Sequence, residues 1–291
     1  MSEKDDKLLK DIQEALLEMM VDIDRVCREH GLKYTLYCGT LLGAIRHNGF
    51  IPWDDDADIA MPLKDYEKFR EIAEHELADK YVTMDYSNSK EHPWVWIRVY
   101  KKGTTYLRRS IADVNMYHGI WVDIYPFLGA MKGKAGYLQN QMLRLARGMQ
   151  RIPALKLNGY NIEDEKLRKQ SKVLGIVPGP LRRIAVKALM GLAMRDPDDY
   201  EYVGTVDSAP FEGKYKWEDW QEFTEHEFEG HNFIIPVEYD KLLKRMYWDY
   251  MTLPSEDARV SHFDDYGDAI IDPHKSYTEY IDKVLAERIK K

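Results

Sequence analysis

Only two cysteines, Cys27 and Cys38, occur in 291 residues. No disulfide framework can be built from them, and both lie in apolar stretches where a reduced thiol behaves as a small hydrophobe. No run reaches 18 apolar residues, so no membrane-spanning helix is expected. The opening MSEKDDKLLKD is charged where a secretory leader needs an apolar core, which points to a cytoplasmic chain. Internal repeats and low-complexity tracts are missing too. A net charge of −8 and a pI near 5.7 argue against a general nucleic-acid binder.

What is present is aromatic and unevenly charged. Twenty Tyr, seven Trp and eight Phe exceed ordinary core needs. From Lys132 to Arg195 there are fourteen Lys and Arg against three acids. That segment carries +11 and the remainder −19, the pattern of a basic face on an acidic body.

Periodicity predicts a long amphipathic helix over about 5–30, with Leu9, Ile12, Leu16, Met19, Ile23 and Val26 on one face and Gly31 as its stop. Strands are expected at Tyr34–Cys38, Ala57–Met61, Tyr81–Tyr86, Trp94–Tyr100 and Gly119–Tyr125, with a helical turn after Gly39-Thr40 and a helix over Lys64–Leu77. Strands interspersed with helices indicate an α+β fold, a mixed sheet flanked by helices. Beyond about residue 130 the pattern turns mainly helical, at Leu138–Arg151, Glu163–Val173, Leu181–Met194, Val237–Tyr250 and Ser276–Ile289. The division expected is a catalytic core over 1–130 and a helical and mixed region over 131–291.

The sharpest feature spans residues 36–61, LYCGTLLGAIRHNGFIPWDDDADIAM. Side-chain alternation puts Asp56 and Asp58 on one face of a strand, ~7 Å apart. Carboxylates held so close repel unless a cation sits between them, and a hard divalent ion, Mg²⁺ or Mn²⁺, suits oxygen ligands. A solvated acidic turn would account for the same run. Gly39 and Thr40 enter a helix, where backbone N–H groups and a hydroxyl can cradle phosphate; a plain N-cap would look alike. Asp123, set in the apolar stretch Gly119–Phe127, is the candidate third carboxylate, since burial without a cation or donors would be costly.

Gly39-Thr40-Leu41-Leu42-Gly43-Ala44-Ile45-Arg46-His47, followed by Gly49-Phe50-Ile51-Pro52-Trp53-Asp54-Asp55-Asp56-Ala57-Asp58, resembles the LicD family of phosphocholine transferases, to which fukutin-related ribitol-phosphate transferases are related. Val122–Pro126 and the stretch from Ile235-Pro236 to Arg259–His262 carry the likeness further. Ala57 and Arg98 depart from it, the latter standing where a lysine is expected.

The resemblance implies a nucleotidyltransferase-like fold and a CDP-activated donor such as CDP-choline, whose phosphocholine passes to a sugar hydroxyl of a glycan or teichoic acid precursor with release of CMP. It implies Mg²⁺ on Asp56, Asp58 and Asp123, with Asp123 also taking the acceptor's proton. Gly39, Thr40, Asp54 and Arg98 would contact the donor, and Arg46 or His47 would steady the leaving CMP. A choline headgroup asks for aromatic faces, for which Trp217, Trp220, Tyr247, Trp248 and Tyr250 are candidates. Other CDP-linked alditol or ethanolamine donors, nucleotidyl transfer, and a silent glycan-binding module are the competing readings. The basic segment 132–195 could meet the inner face of a membrane or an anionic polymer.

Overall fold

The computed structural model describes residues 3–156, 173–207, 215–261 and 269–289. Helix α1 (Glu3–Glu29) buries Ile12, Leu16, Met19, Ile23 and Val26 completely. Gly31, at φ +63°, then lets the chain turn back through Leu32 N–H donating to the Cys27 carbonyl. Strand β1 (Thr35–Leu36) is shorter than expected, because Tyr37 N–H bonds the Asp58 carbonyl and Cys38 turns at φ +45° into α2 (Cys38–His47).

Strand β2 (Asp58–Pro62) runs directly into α3 (Leu63–Glu76). Then come β3 (Tyr81–Met84), β4 (Ile97–Lys101), β5 (Thr105–Arg108) and the long β6 (Trp121–Gly129). After α4 (Gly133–Gln150), α5 (Ile152–Lys156) and α6 (Gly179–Ala193), strands return as β7 (Tyr202–Thr205) and β8 (Tyr215–Lys216). A hairpin of β9 (Phe223–Phe228) and β10 (His231–Pro236), α7 (Tyr239–Tyr247), β11 (Ala269–Asp272) and α8 (Ile281–Ile289) follow. The helix expected at Glu163–Val173 lies outside the described residues apart from Val173.

The main sheet has the order β1-β2-β6-β4-β3 and is mixed, as expected. β2 and β6 are parallel; β1–β2, β4–β6 and β3–β4 are antiparallel. β6 outruns its forecast end because its last three residues, from Phe127 to Gly129, pair with β7. The strands of the later half therefore complete the sheet begun by the first. β5 and β11, 161 residues apart at Arg108 and Ala269, form a separate antiparallel pair that proximity in sequence could not announce. The β9–β10 hairpin was also unforeseen: its turn residues Glu229 and Gly230 both have positive φ, and Glu229 N–H bonds the Asn48 carbonyl beside α2. Gln139 on α4 donates to the carbonyls of Gly129 and Ala193, both at 2.8 Å, tying α4 to the end of β6 and the end of α6.

Candidate active site

Strand pairing places three charged residues in a row. Asp58 on β2 lies opposite Asp123 on β6, and Asp123 lies opposite Arg98 on β4. Alternation divides the acidic run before β2 as the sequence suggested. Asp55 and Ala57 are buried, and Asp55 accepts a hydrogen bond of 3.0 Å from the Tyr106 hydroxyl. Asp54, Asp56 and Asp58 retain partial exposure on the other side. Gln13 from α1 fixes this loop by donating to the carbonyls of Asp54 (2.9 Å) and Ile51 (3.3 Å).

Asp54 reaches the first turn of α2, where a Cβ on Gly39 would come within 2.9 Å of its Oδ2. Thr40 is buried and its hydroxyl oxygen accepts the Asp58 N–H at 2.8 Å. That oxygen thus braces the start of β2. Burial, then the charges of Asp56, Asp123, Asp54 and Asp207, push the Asp58 carboxyl well above its usual range. Asp207 is a member that sequence reasoning missed. It follows β7 and accepts from the Thr205 hydroxyl, and only the β6–β7 pairing brings it here.

The sequence asks for a cation or donors to satisfy buried Asp123, and in the fold Arg98 supplies both positive charge and donors. Arg98 Nε donates to Oδ1 at 2.7 Å and Nη2 to Oδ2 at 3.1 Å. The indole N–H groups of Trp96 (2.5 Å) and Trp121 (2.9 Å) fill the remaining acceptor positions. The guanidinium is stacked between Trp94 and Trp121, 3.5 and 4.3 Å from their ring centres. Burial lowers the Arg98 pKa, but Asp123 outweighs it and holds the group charged. Asp123 therefore has no open position for an ion or for the proton of an attacking hydroxyl.

Arg46 donates from Nε to His47 Nε2 at 2.9 Å and from Nη1 to the Tyr250 carbonyl at 2.8 Å. Burial and then Arg46 lower the pKa of His47. A neutral ring accepting at Nε2 carries its proton on Nδ1. Tyr247 on α7 interacts electrostatically with Cys38, Asp58 and Asp54, and burial followed by those charges drives its hydroxyl pKa upward. Trp248 beside it is 84% exposed at φ +59°. Trp217 and Trp220 are corrected: both are buried against Phe127, and Trp220 also packs on Tyr37. They fill the core and offer no open aromatic face. His262 lies outside the described residues.

Among the described residues no three His, Cys, Asp or Glu gather as a metal-holding group. The Asp56–Asp58 pair nevertheless fits a divalent ion, because the acidic charge crowding Asp58 is what a hard cation would neutralise.

Comparison with known proteins agrees with this geometry. Residues 31–150 match the family described as LicD/FKTN/FKRP, nucleotidyltransferase domain. The lipopolysaccharide cholinephosphotransferase LicD of Haemophilus influenzae is 26% identical over 262 residues, 87% of this chain and 95% of that one. The ribitol 5-phosphate transferase FKRP of Homo sapiens is 30% identical over 113 residues, 39% of this chain and 20% of that protein. With α2, β2, β4 and β6 all inside the matched stretch, residues 31–150 are similar to LicD-type nucleotidyltransferase domains, and the chain is an enzyme of the phosphotransferase class.

Proposed function

We propose that this enzyme transfers phosphocholine from CDP-choline to a sugar hydroxyl of a cell-surface glycan or teichoic acid precursor, releasing CMP. The observation that carries the reading is the gathering of Asp54, Asp56, Asp58 and Asp207 around the first turn of α2, on a chain related along nearly its whole length to a lipopolysaccharide cholinephosphotransferase.

Asp56 and Asp58 would hold Mg²⁺ or Mn²⁺. When bound, the ion neutralises the donor's pyrophosphate. The N–H groups of Gly39 and Thr40, in the first turn of α2, bind a donor phosphate. Arg46, held by the Tyr250 carbonyl, supplies positive charge for the leaving CMP, and His47 contributes a neutral Nδ1–H donor. With Asp123 committed to Arg98, proton removal from the attacking hydroxyl falls to Asp56 or Asp58. Tyr247, from outside the matched domain, offers an aromatic ring near the acids for the quaternary ammonium, and the neighbouring Trp248 adds an exposed indole.

The net charge of +11 over 132–195 supports a reading in which the enzyme works in the cytoplasm at the inner face of the membrane. No helix among the described residues is long and apolar enough to cross it.

Incubation with CDP-choline, Mg²⁺ and a glycan acceptor should release CMP and label the glycan with choline. CMP release from CDP-ribitol, CDP-glycerol or CDP-ethanolamine in preference to CDP-choline would change the donor, as the likeness to a ribitol 5-phosphate transferase allows. Nucleotide attached to the acceptor in place of choline phosphate would overturn phosphocholine transfer in favour of nucleotidyl transfer.

A further inference from the structure

Helix α6 presents apolar side chains outward. Leu181, Ile184, Ala188 and Leu192 recur at three and four residues and are all exposed, Ile184 at 65%. The opposite face, Val186, Met190 and Ala193, is buried, and α4 packs against this helix. Ile176 is 80% exposed just before the helix. At the far end Gln139 joins α4 to the Ala193 carbonyl, and α4 itself exposes Tyr137 and Leu138. Single exposed hydrophobes need no explanation, but a continuous stripe of them does.

Charge decides what covers the stripe. From Val173 to Arg195 there is no acid, and Arg182, Arg183, Lys187 and Arg195 are the charged residues. At 100° per residue, Arg182 falls on one flank of the stripe and Lys187 on the other, while Arg183 turns toward the buried face beside Met190. Long basic side chains flanking an outward apolar face are suited to lie in headgroups while the apolar face enters the acyl boundary. Arg182 and Arg183 also border a cavity of about 520 Å³, with Lys90, Glu91 and Asp113 on its other walls. Arg183 Nε is shielded there without a hydrogen-bond partner among the described residues.

We infer that α6 is a bilayer-docking helix. Leu181, Ile184, Ala188 and Leu192 enter an anionic lipid surface, and Arg182 and Lys187 take its phosphates. This rests on the membrane-surface part of the function proposed above and specifies the residues that make the contact.

Sedimentation of the full chain with phosphatidylcholine vesicles, with and without phosphatidylglycerol, tests it. The reading uses neither donor nor acceptor, so it stands or falls apart from CMP release. Binding is expected to the anionic vesicles alone, weakening about tenfold or more from low to high salt. Ile184→Asp with Leu192→Asp should abolish it, and Arg182→Glu with Lys187→Glu should weaken it to a similar degree. Both pairs lie outside the core, so unchanged thermal melting will show that the fold is kept. No binding at low salt, or equal binding by the doubly acidic variants, would overturn the inference. So would a solution dimer that Ile184→Asp with Leu192→Asp dissolves, because the stripe would then belong to a second copy.

Discussion

Arg98 and Asp123 meet through two side-by-side hydrogen bonds across neighbouring antiparallel strands, with tryptophan rings on both faces of the guanidinium. The pair is buried, so each member is the condition of the other's charge. Removing one partner strands the other in a low-dielectric setting. Arg98→Met or Asp123→Asn should each destabilise the fold by ~3–5 kcal/mol, measured by urea denaturation, with the double replacement costing less than the sum of the two. Additive losses would show that the two do not act as a unit.

Asp58 should behave in the opposite way. Its folded-state pKa is raised, so its contribution to stability is complete below the ordinary carboxylate range and drains away as pH rises through the elevated value. Metal-free protein should therefore melt at a lower temperature at neutral pH than near pH 4–5, to the extent that this group controls the profile. Asp58→Asn should flatten that slope and raise the neutral-pH melting temperature, while abolishing CMP release. Mg²⁺ should stabilise the wild type and leave the variant unmoved. A variant that melts lower than the wild type at neutral pH would contradict the electrostatic account.

Gly43 offers a test in which two effects have opposite signs. In an exposed helix interior, Gly→Ala gains ~1 kcal/mol. Here the new Cβ would stand 2.5 Å from the Gly49 carbonyl oxygen and 3.2 Å from the Ile51 nitrogen. Both are backbone atoms and cannot swing aside. Steric cost wins, and Gly43→Ala should destabilise by ~1–3 kcal/mol on thermal or chemical unfolding. Gly49→Ala meets the Glu229 carboxylate at 2.1 Å, a flexible side chain, so Glu229→Ala should relieve much of that clash.

Trp248 holds a left-handed backbone with an almost fully exposed indole, an arrangement the folded state gains little from. Trp248→Gly should raise stability by up to ~1 kcal/mol and weaken CDP-choline relative to CDP-ethanolamine. The wild-type preference between those donors is expected at ~1–2 kcal/mol, the scale of a desolvated cation–π contact. Competition binding reads this directly; equal affinities in the wild type would remove choline from the assignment.

The elements readable from sequence were those with local signals. The α1 stripe from Ile12 to Val26 and the alternation that separates Asp55 from Asp56 and Asp58 are properties of short windows. Asp207 could not be read in this way, because its place is fixed by β7 pairing with a strand more than seventy residues earlier. The Arg98–Asp123 contact depends on strand order and register, which sequence spacing does not encode. Asn48-Gly49 was legible as a break, but the need for glycine lies with Glu229, far along the chain. Trp217 and Trp220 illustrate the converse: aromatic residues clustered in sequence served the core around Phe127.

β6 has a consequence for how the chain is made. When residues 1–130 have left the ribosome, β2 and β4 can already clasp the first part of β6, but Phe127–Gly129 still lacks β7. The nascent sheet thus carries bare, apolar strand edge until more than seventy further residues have been synthesised. At ~5–20 residues per second that is an exposure of several seconds, during which edge pairing with another chain competes with completion.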